Sequence, residues 1–463
     1  MKKTLLSAAV FAGILGCSPT QAAPVEQPNI IIILADDMGY GDPSSYGGTE
    51  HTPNIDELAE EGMKFTDFHT SGSVCSPTRA GLITGKYQQR TGVDGVINAK
   101  PNHPSHTIGV DPTKHDVYPN LLKEEGYTVG LFGKWHVGYE SQYHPMKFGF
   151  DEFKGYLSGN IDYFSHIDQA GNHDWWHGNR KVHEEGYSTH LITDYSVKFI
   201  EKNKDKPFML MVSHESVHYP WQGPTDNIQR GPNATSPNTS TGPEAYRAML
   251  KDLDNSVGEI KDAVESAGIA DNTLIIFTSD NGPHKFSSSG PFRDWKGTVY
   301  EGGHRVSTIA WQPNKIEAGS LTTETAMSFD LVPTMLELAG SDYDTTKLDG
   351  VSLVPALEGK KLKERDLFWR NGGVIKSQDD ELVAKDTMKA VREGNWKLVA
   401  HPYYSKVELY NLADDRSEKI NLANKKPEIT ARLTKKLKDW ESEMLKSLPY
   451  KVVQPNEIKA TAK

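Results

Sequence analysis

The stretch "NIIIILADDMGYGD", residues 29–42, holds five consecutive aliphatic side chains, Ile30 to Leu34, between turn-forming neighbours. Five residues are too few for a stable helix, and an unbroken aliphatic run is what a strand buried on both faces requires. The run therefore predicts an internal strand of a parallel sheet, with Asp36 and Asp37 at its carboxyl end. Three further segments follow the same plan. "TLIIFTSDNGPH" places Leu274 to Thr278 before Asp280 and Asn281, and "YTVGLFGKWHVG" places Thr128 to Phe132 before Lys134 and His136. "KPFMLMVSHESVHYPW" places Phe208 to Val212 before His214 and His218. Ligands of open α/β sheets gather beyond the carboxyl ends of the strands, so these four segments are expected to converge on one site.

Between the strands lie helical patterns, such as "TPNIDELAEEG" from Thr52 and "YPNLLKEEG" from Tyr118, each stopped by a glycine. The alternation predicts an α/β fold with a mostly parallel central sheet flanked by helices. Near residue 360 the texture changes. "GKKLKERDLFWR", "MKAVREGNWKLVA" and "VELYNL" read as short strands, and from Pro427 the residues Ile429, Leu433, Leu437, Trp440, Met444 and Leu448 line one face of an amphipathic helix. The expected division is a leader over 1–22, a large domain over 23–359 and a smaller α+β domain over 360–463. "QRGPNATSPNTSTGPEAY", residues 229–246, reads as a polar surface loop.

The leader "MKKTLLSAAVFAGILGCSPTQAAP" joins Lys2 and Lys3 to an apolar run from Leu5 to Leu15 and ends in small residues, the pattern of a secretory signal. "ILGC" ending at Cys17 also fits a bacterial lipobox; cleavage near Ala22 or Ala23 is the alternative. No later stretch reaches the roughly 18 consecutive apolar residues of a membrane span. The expected location is therefore periplasmic or outer-membrane lipid-anchored, with membrane contact only through that anchor. Asn233 and Asn238 match a glycosylation pattern that carries no weight behind a bacterial-type leader. A net charge of -11 provides no basic excess for nucleic acid, and an anionic substrate would need a local cluster of cations to overcome that field.

Cys75 is the only cysteine outside the leader and lies in "SVCSPTRAGLITGK", residues 73–86. Pro77 suits a first helical turn, Ala80, Leu82 and Ile83 continue it, and Gly85 can end it, which puts Cys75 at the helix N-terminus. Arg79, four residues on, shares its face and can reach an oxyanion held at position 75. A lone cysteine is also consistent with an inert buried thiol. Asp36, Asp37, Asp280 and Asn281 offer hard oxygen donors, suited to Ca²⁺ or Mg²⁺ rather than zinc, although an Asp pair is equally a turn or cap. Taken singly, Lys134, His136, His218 and Lys296 in "PFRDWKGTVYEGGHRV" read as ordinary structural or solvated side chains.

Together these segments resemble the formylglycine-dependent (type I) sulfatases of the alkaline-phosphatase-like superfamily. "CSPTRAGLITGK" resembles their signature, in which the cysteine of a CxPxR core is oxidised to an aldehyde. "NIIIILADDMGYGD", "GKWHVG", "VHYPW", "SDNG" and "WKGTVYEGG" match in order, and "AVREGNWKL" and "ELYNLADDRSEKINLA" resemble the family's C-terminal domain. The resemblance implies one Ca²⁺ held by Asp36, Asp37, Asp280, Asn281 and formylglycine at position 75. It also implies that Lys134 and Lys296 neutralise the sulfate oxygens, that His218 with Lys296 helps the leaving oxygen depart, that Arg79 steadies the formylglycine hydrate and that His136 takes its second proton. One hydroxyl of the hydrate, with Asp280 as candidate base, attacks sulfur; the other expels sulfate and restores the aldehyde. A separate maturation enzyme makes the aldehyde.

"HESVHYPWQGP" resembles polysaccharide and galactosamine-type sulfatases more than those acting on small aryl esters, and places His214 beside His218 at the substrate. In "GYLSGNIDYFSHIDQAGNHDWWHGN", Tyr163, Trp175 and Trp176 read either as a platform for sugar rings or as core packing. The expected substrate is a sulfated oligo- or polysaccharide, a galactan such as carrageenan first. The alternatives are a glycosaminoglycan (N-acetylgalactosamine-type) sulfatase, a phosphonate or phosphodiester hydrolase of the same superfamily, and a non-catalytic lipoprotein that binds sulfated glycans.

Overall fold

The four aliphatic runs become neighbouring strands in the computed structural model of the chain, which describes residues 27–231, 242–376 and 381–452. The leader with Cys17, and Asn233 and Asn238, lie outside the described residues. Among the described residues the large sheet comprises β1 (Asn29–Ala35), β2 (Met63–Phe65), β3 (Thr128–Lys134), β4 (Glu152–Tyr156), β5 (Trp176–His177), β6 (Arg180–Lys181), β7 (Phe208–Ser213), β8 (Thr273–Ser279), β9 (Thr308–Trp311) and β10 (Ser320–Thr322). Their order is β10-β2-β9-β8-β1-β7-β3-β4-β5-β6. The central strands β8, β1, β7, β3 and β4 are mutually parallel. Leu34 pairs with Ser213, Ala35 with Ser279 and Gly133 with Ser213, so these strands stop at one level and their following residues meet.

The aliphatic runs are continuous because both faces of the sheet are covered. Ile31, Ile33 and Ala35 pack in one core with α1 (Pro53–Glu61), α4 (Ser188–Asn203) and α5 (Pro243–Ser266). Ile30, Ile32 and Leu34 face α2 (Cys75–Thr84), α3 (Tyr118–Glu124) and α6 (Leu331–Leu338) on the other side. Helix α2 ends at Gly85, whose φ of 69° lets its N–H return to the Gly81 carbonyl. No helix among the described residues is long and apolar enough to cross a membrane.

The tail forms an antiparallel sheet of β11 (Leu367–Arg370), β12 (Lys389–Glu393), β13 (Trp396–Ala400) and β14 (Val407–Asn411). It is covered by α7 (Pro427–Lys446), which buries Leu433, Leu437, Trp440 and Met444. Their core also takes in Tyr87, Val299, Tyr300 and Phe329 from the sequence before it. Polar groups join the two parts as well. The fully buried Lys397 ammonium of β13 sits 2.8 Å from Glu301, 3.0 Å from Glu418 and 3.1 Å from His304. His69, Glu301 and His304 cluster closely enough to suggest a metal site, but Lys397 already supplies their positive charge. Lys397→Met leaves the buried Glu418 carboxyl without a cation and Glu301 with Arg305 alone, so urea unfolding should show a loss of about 3–5 kcal/mol. A loss under about 1 kcal/mol, the scale of a surface pair, would show that the seam is not structural.

Candidate active site

Six segments deliver side chains to the carboxyl edge of the sheet. Asp36 and Asp37 follow β1, Asp280 and Asn281 follow β8, Lys134 and His136 come from the end of β3, and His218 lies on the loop after β7. Cys75 is the first residue of α2, as its sequence context predicts, and is 2 % exposed. Lys296 arrives on a loop pinned twice: its own N–H donates to the Pro283 carbonyl (2.9 Å) and the Gly297 N–H to the Ser73 carbonyl (2.8 Å). Donor atoms of Asp36, Cys75 and Asp280 lie within 4.8 Å of one another, as do those of Asp36, Asp37 and His218. Asp37 and His136 both have positive φ, 64° and 58°, a conformation non-glycine residues adopt rarely and often at functional sites.

The charges are matched across the floor. The Lys134 ammonium touches Asp36 and the Lys296 ammonium touches Asp37, while Arg79 is 2.9 Å from Asp280. Burial, and then the Asp280 carboxylate, raise the Asp36 carboxyl well above the usual range against the opposing pull of Lys134. For Asp37 burial acts in the same sense, but Lys296 and His218 outweigh it and hold the carboxyl below its ordinary value. Burial lowers both His136 and His218, with Lys134 adding to the effect at His136 and Asp37 opposing it at His218.

Hydrogen bonds assign the ring nitrogens. His136 Nε2 meets the Ile97 carbonyl at 2.7 Å and must donate, because a carbonyl only accepts; its buried Nδ1 has no protein partner and is left as a proton acceptor. His218 Nδ1 likewise donates to the Tyr219 carbonyl, leaving Nε2, 3.5 Å from Asp37, to exchange a proton with a bound group. The Gly159 position has no room for a side chain, since a Cβ there would lie 2.7 Å from the His136 ring.

The donor set fits a hard divalent cation. Asp36 Oδ1 and Asn281 Oδ1 are buried without a hydrogen-bond partner, and Asn281 is oriented by its Nδ2 donating to Asp37 Oδ1 at 2.7 Å. Buried oxygens left unpaired are costly unless something positive meets them. Asp36, Asp37 and Asp280 balance Arg79, Lys134 and Lys296, so an added divalent cation makes the floor net positive and able to receive an anion.

Not every expected residue joins this floor. His214 points to the opposite face, with its Nε2 2.8 Å from Ser256 Oγ of α5 and its imidazole buried and pushed down to about 3 by that burial. The cause is the two-residue period of β7: Met209 and Met211 face α2, as does Ser213, whereas Leu210 and Val212 face α5, and His214 continues their side. Tyr163 and Trp175 are fully buried and open no sugar platform. The Tyr163 hydroxyl donates to the His218 carbonyl (2.9 Å), and Trp175 stacks on His166. Trp176 is half-buried, tied to Asp174 and covered by the Lys181 ammonium. Arg79 bonds Asp280 through Nε and the Lys134 carbonyl (3.0 Å) and Ser213 Oγ (2.6 Å) through Nη1, and so ties α2 to three strand ends, while its buried Nη2 lies 2.9 Å from Asp280 without a hydrogen bond. Ser213, absent from the expected set, carries its signal in the same alternation that turns His214 away.

Known proteins share this arrangement at the level of whole chains. The Sulfatase family model matches residues 28–341, and a model described as N-sulphoglucosamine sulphohydrolase, C-terminal, matches 292–443. N-acetylgalactosamine-6-sulfatase of Canis lupus familiaris is 34% identical over 402 residues, 81% of this chain and 72% of that protein. Arylsulfatase G of Rattus norvegicus is 30% identical, covering 94% of this chain and 90% of that one. The crystal structure of Ps i-CgsB superposes with a TM-score of 0.77 at 30% identity over 89% of this chain and 92% of that one. Its complex with k-i-k-neocarrahexaose gives 0.78 at 28% identity over 93% and 96%. With the family model running from β1 through α6, across every strand end that meets at Cys75, the chain belongs to the sulfatase family and is a sulfuric ester hydrolase.

Proposed function

We propose that this enzyme removes sulfate from a sulfated polysaccharide, a galactan of the carrageenan type first, using formylglycine formed from Cys75 by a separate maturation enzyme. The observation that carries the substrate reading is the likeness, over nearly the full length of both chains, to Ps i-CgsB in complex with k-i-k-neocarrahexaose. Asp36, Asp37, Asp280 and Asn281, with position 75, would hold one Ca²⁺, whose chemistry is to offset charge on sulfate oxygens. An aldehyde at position 75 would, once hydrated by water, supply a hydroxyl pair, one to accept sulfate and the other to expel it as the aldehyde re-forms. Lys134 and Lys296 orient the sulfuryl group and stabilise negative charge on it, His218 Nε2 together with the Lys296 ammonium assists departure of the sugar oxygen, and His136 Nδ1 accepts a proton. Arg79 acts as a positioning residue through its bonds to Asp280 and Ser213.

The 34% identity to N-acetylgalactosamine-6-sulfatase favours a second reading, a sulfated glycosaminoglycan. Both are decided by desulfation assays on carrageenan, chondroitin, heparan and fucoidan oligosaccharides beside para-nitrophenyl sulfate. Release of sulfate from carrageenan oligosaccharides is expected; preference for chondroitin would establish the second reading, and turnover of the aryl ester alone would exclude both.

A further inference from the structure

The chain has nine tryptophans, all within the described residues, and Trp295 alone is exposed, at 60 %. It immediately precedes Lys296, whose ammonium touches Asp37 on the floor of the site. The surrounding backbone is fixed. The Thr298 N–H and hydroxyl both bond the Trp295 carbonyl (3.1 and 2.9 Å), the next two N–H groups are pinned to Pro283 and Ser73, and Asn371 before β12 grips the Gly297 carbonyl. An indole standing in water on a braced turn, one residue from a floor lysine, has its faces free for a ligand. The C–H face of a pyranose ring is the ligand chemistry that matches an exposed indole, on the residue before the lysine that meets Asp37.

Resting on the polysaccharide reading above, we infer that Trp295 is a specificity-determining residue on which the sugar unit next to the sulfated one stacks. This takes over the role for which Tyr163 and Trp175 are too deeply buried. Stacking of this kind is made equally in the ground and transition states, so its loss falls mainly on KM.

The test compares kcat/KM for a sulfated carrageenan hexasaccharide, a chondroitin 6-sulfate hexasaccharide and para-nitrophenyl sulfate in wild type, Trp295→Ala and Trp295→Phe. The expected result with alanine is a fall of about tenfold or more in the ratio of hexasaccharide to aryl-ester kcat/KM, carried by KM, with phenylalanine restoring most of it. The ester in the same ratio corrects for any loss of folded enzyme. An alanine ratio within about twofold of wild type overturns the Trp295 assignment alone. A wild type that turns over neither hexasaccharide overturns the polysaccharide reading, and this assignment with it.

Discussion

Cys75→Ala is expected to lower kcat by about 10⁴-fold or more while leaving the protein folded. Cys75 begins α2 with its Sγ among Asp36 and Asp280, and every residue of that helix is buried. Alanine removes one small group from this environment and no hydrogen bond of the helix, so the loss belongs to chemistry rather than to packing. Peptide mass spectrometry of the active wild type should find the aldehyde at residue 75, with turnover scaling with its fraction across preparations. Cys75→Ser separates this from ordinary nucleophilic catalysis, because a serine hydroxyl that accepts sulfate lacks the second hydroxyl needed to expel it. A sulfated, stalled enzyme is the expected product. Full turnover by the alanine variant, or by a preparation carrying only thiol at position 75, would refute the mechanism.

Asp36→Ala should abolish binding of one Ca²⁺ per chain, read by titration calorimetry, and reduce kcat/KM about a thousandfold, several kcal/mol of charge stabilisation. Asp36 Oδ1 is buried and unpaired, as is Asn281 Oδ1, and both offer lone pairs where three carboxylates already meet. At a hundredfold excess over its Kd, Ca²⁺ should stabilise the wild type by about 2.7 kcal/mol and leave the variant unmoved. The absence of both a binding heat and a stability shift in the wild type would show that Lys134, Lys296 and Arg79 alone neutralise the floor.

The strands and the convergence of the floor were legible because a doubly covered parallel strand demands an uninterrupted aliphatic run, and such strands end where ligands bind. The amphipathic stripe of α7 was legible for the same kind of reason, a period matched to one buried face. The partners of Arg79 were not, because they lie 55, 134 and 201 residues away and include a carbonyl that any residue could supply. His214 was readable in principle through strand parity, but proximity to His218 in sequence suggested a shared site that the fold denies. Aromatic residues between elements look alike whether they fill a core, as Tyr163 and Trp175 do, or stand in water, as Trp295 does. Only the path of the surrounding chain separates those cases.

The burial of Cys75 sets an order of events. With 2 % of its surface exposed, at the head of a helix whose ten residues are all inaccessible, this side chain cannot enter a second protein's catalytic cleft once β1, β8 and α2 have closed around it. On the proposed maturation route the oxidation must therefore reach the chain while it is still unfolded. Each molecule then has a single opportunity, and a chain that folds first is left with a thiol. The specific activity of any preparation becomes a record of a race between folding and oxidation, improved by slowing the one or supplying more of the other during synthesis, and beyond repair in the purified protein.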